Sequence, residues 1–94
     1  MADIFISYSH HDAQHAEHLL EVLHSNGLSV WIDKSGIDLA SRWSREIVAA
    51  ITDCKAFILL LSSASLASAN VFKEVSLASE KQKTILPLLV EPVI

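Results

Sequence analysis

Short apolar runs alternate along this chain with longer segments in which apolar residues recur every three or four positions. The first run lies in Asp3–Asp12, DIFISYSHHD, where Ile4, Phe5, Ile6 and Tyr8 give way to Ser7, Ser9, His10, His11 and Asp12. Ile4 and Ile6 fall on one face and Phe5 on the other, so the pattern predicts a strand covered on both sides, as in a parallel sheet. Asp12 stands where a helix N-cap is expected, and Ala16, Leu19, Leu20 and Leu23 follow at helical spacing. Asn26-Gly27 supplies a left-handed stop, which predicts a helix over Ala13–Ser25.

Leu28–Ile32 is the second predicted strand, broken by Asp33-Lys34-Ser35-Gly36 into a loop that reaches about Ser41. Trp43, Ile47, Ala50 and Ile51 mark a second helix ending near Asp53. Lys55–Leu61 reads as a third strand, apolar on both faces, and Ser62, Ser63, Ser65 and Ser68 as a polar loop. Val71, Val75 and Ala78 begin a third helix running to about Lys83, and Thr84–Val90 is the fourth strand. This β-α-β-α-β-α-β alternation predicts a doubly wound, flavodoxin-like parallel sheet with right-handed crossovers. Strand order 2-1-3-4 puts the reversal between the first and third strands, with Ser9, His10 and Ser62 lining the crevice. Periodicity alone leaves other orders open.

The fourth strand adds a separate expectation. Ile85, Leu86, Leu88, Leu89 and Val90 make both its faces apolar, yet no covering helix follows in the sequence. A bare apolar edge invites wrong pairing. Either another chain covers it or the domain continues beyond Ile94, and the second is the expectation adopted.

Composition narrows the function classes. The 94 residues predict one domain, and 51% apolar against 19% charged residues is enough for a core and too apolar for disorder. Net charge is −4 and the seven Lys and Arg form no block, which argues against a phosphate-backbone partner. The single cysteine, Cys54, permits no internal disulfide. With no basic-then-apolar leader and no apolar run near the length of a membrane span, the expectation is a soluble cytoplasmic protein without nucleic-acid or membrane partners.

The assembled segments resemble the TIR domain, the Toll/interleukin-1 receptor and plant-resistance-protein family, in its prokaryotic type. DIFISYSHHD is similar to its first box, and GLSVWIDKSGI to the second strand leading into its BB loop, here about Asp33–Arg42. CKAFILLLS resembles its third strand and SANVFKEVSLA the helix that carries the catalytic glutamate of enzymatic members, while ILPLLVEP resembles the strand after it. The resemblance spans all 94 residues as one TIR domain, with the family's fifth strand and last helix missing. It implies one of two roles. Many bacterial and plant members, and one animal axon-degeneration protein, cleave NAD⁺ at the nicotinamide–ribose bond. Animal receptor and adaptor members are assembly modules. The first role is the expectation here: an NAD⁺ nucleosidase releasing nicotinamide and linear or cyclic ADP-ribose. Self-association through the BB loop and a sensor region beyond Ile94 would switch it, in antiphage defence or cell-death signalling. A non-catalytic TIR–TIR adaptor is the alternative. A phosphoacceptor receiver domain shares the sheet order but needs acidic residues where Ser9-His10 and Ser62 stand.

Glu74 is the candidate catalytic residue. Val71, Glu74, Val75 and Ala78 share one helical stripe, so the carboxylate is directed inward. A fixed carboxylate stabilises the oxocarbenium character that develops on ribose, with no metal or cofactor. A glutamate favoured by the helix dipole in a first turn is the competing explanation. Ser9, His10, Asp33, Trp43, Ser62 and Asn70 are the candidate substrate-binding residues. Trp43 also fits core packing, and Ser62 and Ser68 also fit helix capping. Asn70 stands where many enzymatic members have tryptophan, Ala40 where many have glycine, and arginines found near the first strand of some are absent. The five histidines lack a carboxylate or cysteine cluster, so no metal site is expected.

Overall fold

In the computed structural model, residues 3–32 and 45–90 are described. Four strands, β1 (Ile4–Ser7), β2 (Val30–Ile32), β3 (Ala56–Leu61) and β4 (Thr84–Leu89), form one sheet in the order β2-β1-β3-β4. Every pairing is parallel, with Phe5 opposite both Trp31 and Phe57, and Phe57 opposite Ile85. The order and the reversal between β1 and β3 are those expected from the sequence.

Among the described residues four α-helices accompany the sheet: α1 (Ala13–Ser25), α2 (Arg45–Asp53), α3 (Ser63–Leu66) and α4 (Ala69–Glu80). The predicted start of the second helix at Trp43 lies outside the described residues, as do Asp33, Ala40 and the loop Asp33–Arg42.

The two faces of β1 feed two cores, as its double-sided apolarity requires. Phe5 and Phe57 pack with Ile47 and Ile51 of α2, Cys54 just after it and Ala78 of α4, and the Phe5 ring stacks on Trp31 at 5.0 Å and on Phe57 at 5.3 Å. On the opposite face Ile4, Ile6, Ile58 and Leu60 pack against Ala16 of α1. Burial raises the pKa of the Cys54 thiol, against a smaller lowering by nearby Lys83. The Lys83 ammonium donates to the Cys54 carbonyl at 2.9 Å, beside the C-terminal end of α2 where a cation is favoured. At the sheet edge β4 keeps the exposure its sequence implied: Leu86 and Leu88 stand open on one side and Leu89, 64% exposed, on the other.

Two helices end in the same way with different residues. After α1, Gly27 at φ +80° donates to the His24 carbonyl and Leu28 to the Leu23 carbonyl, a Schellman pair. After α4, Gln82 at φ +59° donates to the Ser79 carbonyl and Lys83 to the Ala78 carbonyl. The α4 stop therefore comes at Glu80, three residues before the predicted end near Lys83. No glycine or asparagine marks it in the sequence. The predicted polar loop after β3 is corrected as well, because Ser63–Leu66 forms the short helix α3. Its box is made by two serines: Ser62 Oγ accepts from the Ser65 N–H at 3.0 Å, and Ser65 Oγ accepts from the Ser62 N–H at 2.9 Å.

Candidate functional site

The five buried polar side chains among the described residues are Ser7, Ser9, Ser62, Ser65 and Glu74. They do not scatter through the cores. Ser7 ends β1 and Ser9 follows it, Ser62 follows β3, Ser65 lies in α3, and Glu74 reaches Ser7 from α4. All therefore gather at the carboxyl ends of β1 and β3, where an open α/β sheet reverses its strand order and holds its ligands.

Each is placed by a local reason. Ser9 Oγ accepts from the His11 N–H and caps a single 3₁₀ turn over His10–Asp12. That turn corrects the expected role of Asp12. Asp12 occupies the N-cap position of α1 but its side chain makes no capping bond. Its carboxylate instead accepts a hydrogen bond of 2.5 Å from Ser62 Oγ, tying the segment after β1 to the segment after β3. Ser62 is thus engaged twice, as acceptor from Ser65 and donor to Asp12. Ser68 Oγ accepts from the Val71 N–H and starts α4 two residues earlier than the apolar stripe indicated.

This earlier start changes the account of Glu74. The first turn of α4 carries no acidic residue, and Glu74 lies beyond it. The helix-dipole benefit falls off within that turn, so it does not account for a glutamate here. Glu74 is only 5% exposed, on the inward stripe with Val71 and Ala78. Its Oε1 accepts a hydrogen bond of 2.7 Å from Ser7 Oγ, whose side chain has no exposure. A buried carboxylate held by a buried hydroxyl is costly unless it is satisfied in this way. The sequence shows Ser7 only as part of a polar strand exit. Its partner lies 67 residues away, beyond the reach of any local pattern.

The remaining candidates are distributed unevenly. His10 is exposed, with its ring 4.3 Å from that of His11. Asn70 is half-buried in the first turn of α4, one turn before Glu74. Asp33 and Trp43 lie outside the described residues. A groove of about 340 Å³ between α2 and α4 is lined by Val48, Phe72, Lys73, Ser76, Leu77 and Glu80, none of them a candidate site residue. Among the described residues, no three or more His, Cys, Asp or Glu side chains are grouped to hold a metal ion. Nor is any described helix long and apolar enough to cross a membrane.

Comparison with known proteins agrees with this architecture. No curated protein matches the chain by sequence. Among solved structures, the TIR domain of the Toll-related receptor TRR-2 from Hydra magnipapillata superposes with a TM-score of 0.82 at 19% identity, over 100% of this chain and 74% of that one. The TIR domains of the activated Roq1 resistosome, which recognises the pathogen effector XopQ, give 0.83 at 17% identity, over 99% of this chain and 60% of theirs. A metazoan TIR-STING receptor from C. gigas gives 0.75 at 27% identity, over 100% of this chain and 32% of that one. A sequence model described as "TIR domain" matches residues 4–94. The chain belongs to the TIR-domain family.

Proposed function

We propose that this domain cleaves NAD⁺ at the nicotinamide–ribose bond, with Glu74 as the catalytic carboxylate. One observation carries the reading: a glutamate buried at the carboxyl ends of β1 and β3, one turn into α4, where neither capping nor the helix dipole accounts for it. The bond between ribose C1′ and the pyridinium nitrogen breaks, and its electron pair moves to that nitrogen, releasing neutral nicotinamide. The cationic ribose is stabilised by the Glu74 carboxylate, in surroundings where little water screens the charge. Water then adds at C1′ and loses a proton to give ADP-ribose. Addition of an adenine nitrogen of the same molecule gives a cyclic product.

Ser9, His10, Ser62 and Asn70 border the substrate, with Asp33 and Trp43 completing its binding, and no metal or further cofactor takes part. Self-association through the Asp33–Arg42 loop completes the site, under control of a sensor region. Such a switch suits a cytoplasmic defence or cell-death effector, since unregulated loss of NAD⁺ is toxic. The resistosome relative is described in an activated assembly that recognises a pathogen effector, which supports this reading.

The alternative is a non-catalytic TIR–TIR adaptor, favoured by Asn70 in place of tryptophan and by the lack of arginine around Ser9–Asp12. Incubating the assembled full-length protein with NAD⁺ and identifying the products separates the two. Release of nicotinamide is the expected result; an assembled protein that leaves NAD⁺ intact is an adaptor.

A further inference from the structure

We infer that Ser7 is a positioning residue for the Glu74 carboxylate, an inference that rests on the catalytic reading of Glu74 above. The terminal torsion of a glutamate is soft, with a broad two-fold profile rather than staggered wells. Burial alone does not aim such a carboxylate at a ribose carbon. A hydrogen bond to one named oxygen does. Ser7 Oγ makes that bond to Oε1 at 2.7 Å, and the hydroxyl belongs to β1, a strand paired on both sides in the sheet. Ser7 is the last residue of β1, a strand buried along its whole length, and pairs in register with Leu59 of β3. The catalytic helix is thereby referenced to the central strands, through a contact that water does not reach.

The arrangement has a second consequence. A hydroxyl donating to a carboxylate favours its ionised form, the form that stabilises a ribosyl cation. Ser7 therefore aims the carboxylate and favours its charged form, without touching the substrate. Apolar substitution at a fully buried strand position would otherwise be expected to improve packing, because an unpaired hydroxyl there is a cost.

The test uses the full-length protein, with steady-state NAD⁺ turnover measured from pH 5 to 9 for wild type, Ser7→Ala, Ser7→Cys and Ser7→Thr. Folding of each is followed by circular dichroism. Ser7→Ala is expected to lower kcat by about 10- to 100-fold, the scale on which a misplacement near 1 Å acts, with KM changed less than about threefold. The acid limb of its kcat profile moves to higher pH. Ser7→Thr, which keeps the hydroxyl, restores most of the rate and returns the limb towards the wild-type position. Ser7→Cys, similar in size but a weak donor, behaves like Ser7→Ala and covers the case in which the alanine variant does not fold. A wild-type enzyme whose folded Ser7→Ala or Ser7→Cys form keeps its kcat and pH profile overturns the inference and leaves the role of Glu74 intact. Wild-type protein that assembles but releases no nicotinamide overturns both.

Discussion

Ser62 is the residue on which the ends of β1 and β3 are joined, and its removal has a calculable cost. Its side chain is fully buried and has two bonds, one accepted from Ser65 at 3.0 Å and one donated to Asp12 at 2.5 Å. Loss of an N-cap serine costs about 1 kcal/mol. Loss of a hydrogen bond to a charged group costs about 1.5–3 kcal/mol, with the lower end fitting Asp12, which is half-exposed and regains water. Ser62→Ala should therefore destabilise the domain by about 2–3 kcal/mol. For a domain of this size each 1 kcal/mol moves Tm by roughly 4–8 °C, so a fall of about 10–20 °C is expected. Ser68→Ala is the internal standard, because Ser68 caps α4 with one bond to the Val71 N–H. It should cost only about 1 kcal/mol. Thermal unfolding of both variants, with Asp12→Ala and the Ser62→Ala/Asp12→Ala double variant to close the cycle, measures the link directly. A Ser62→Ala loss no larger than that of Ser68→Ala, or a coupling energy near zero, would show that Asp12 and Ser62 do not tie the two strand ends together.

Two other positions test the fold independently of the site. Gln82 holds a left-handed conformation at φ +59°, which costs a non-glycine residue about 1 kcal/mol. Gln82→Gly should raise stability by about 0.5–1 kcal/mol in denaturant titration; a loss would mean that the Gln82 side chain contributes more than the strain removes. Cys54 has a folded-state pKa raised above its ordinary value of 9.0, chiefly by burial. Its contribution to stability is complete below that value and is lost as pH rises through the folded pKa, because the unfolded thiol ionises first. As pH rises past 9.0 the wild type should lose more stability than Cys54→Ala, and equal slopes would place the thiol in contact with solvent.

The sheet was legible in the sequence because its strands are short, bounded by turn residues and apolar on both faces. Ile4, Phe5 and Ile6 announce two cores, and two cores form. The inward direction of Glu74 was legible too, from its spacing with Val71 and Ala78. What escaped the sequence was non-local or disguised. Ser7 and Ser62 meet partners 67 and 50 residues away, and nothing local distinguishes them from other serines of polar strand ends. The short helix α3 hides in a serine-rich run because serine replaces the usual glutamate or glutamine at its third position. The α4 terminus hides because Gln82 takes a conformation that glycine or asparagine normally signals. The exposed β4 face shows the opposite case, in which apolar sequence correctly foretells an edge without saying what lies against it.

The central claim is that the Glu74 carboxylate cleaves NAD⁺. The most direct measurement is nicotinamide release by assembled full-length protein, wild type beside Glu74→Gln, with folding and assembly checked for both. Glu74→Gln keeps the shape and removes the charge that opposes the ribosyl cation. The account predicts release by wild type and a fall of at least about 100-fold in the variant, the scale of losing one preorganised electrostatic group. Equal release by a folded, assembled Glu74→Gln protein would contradict it.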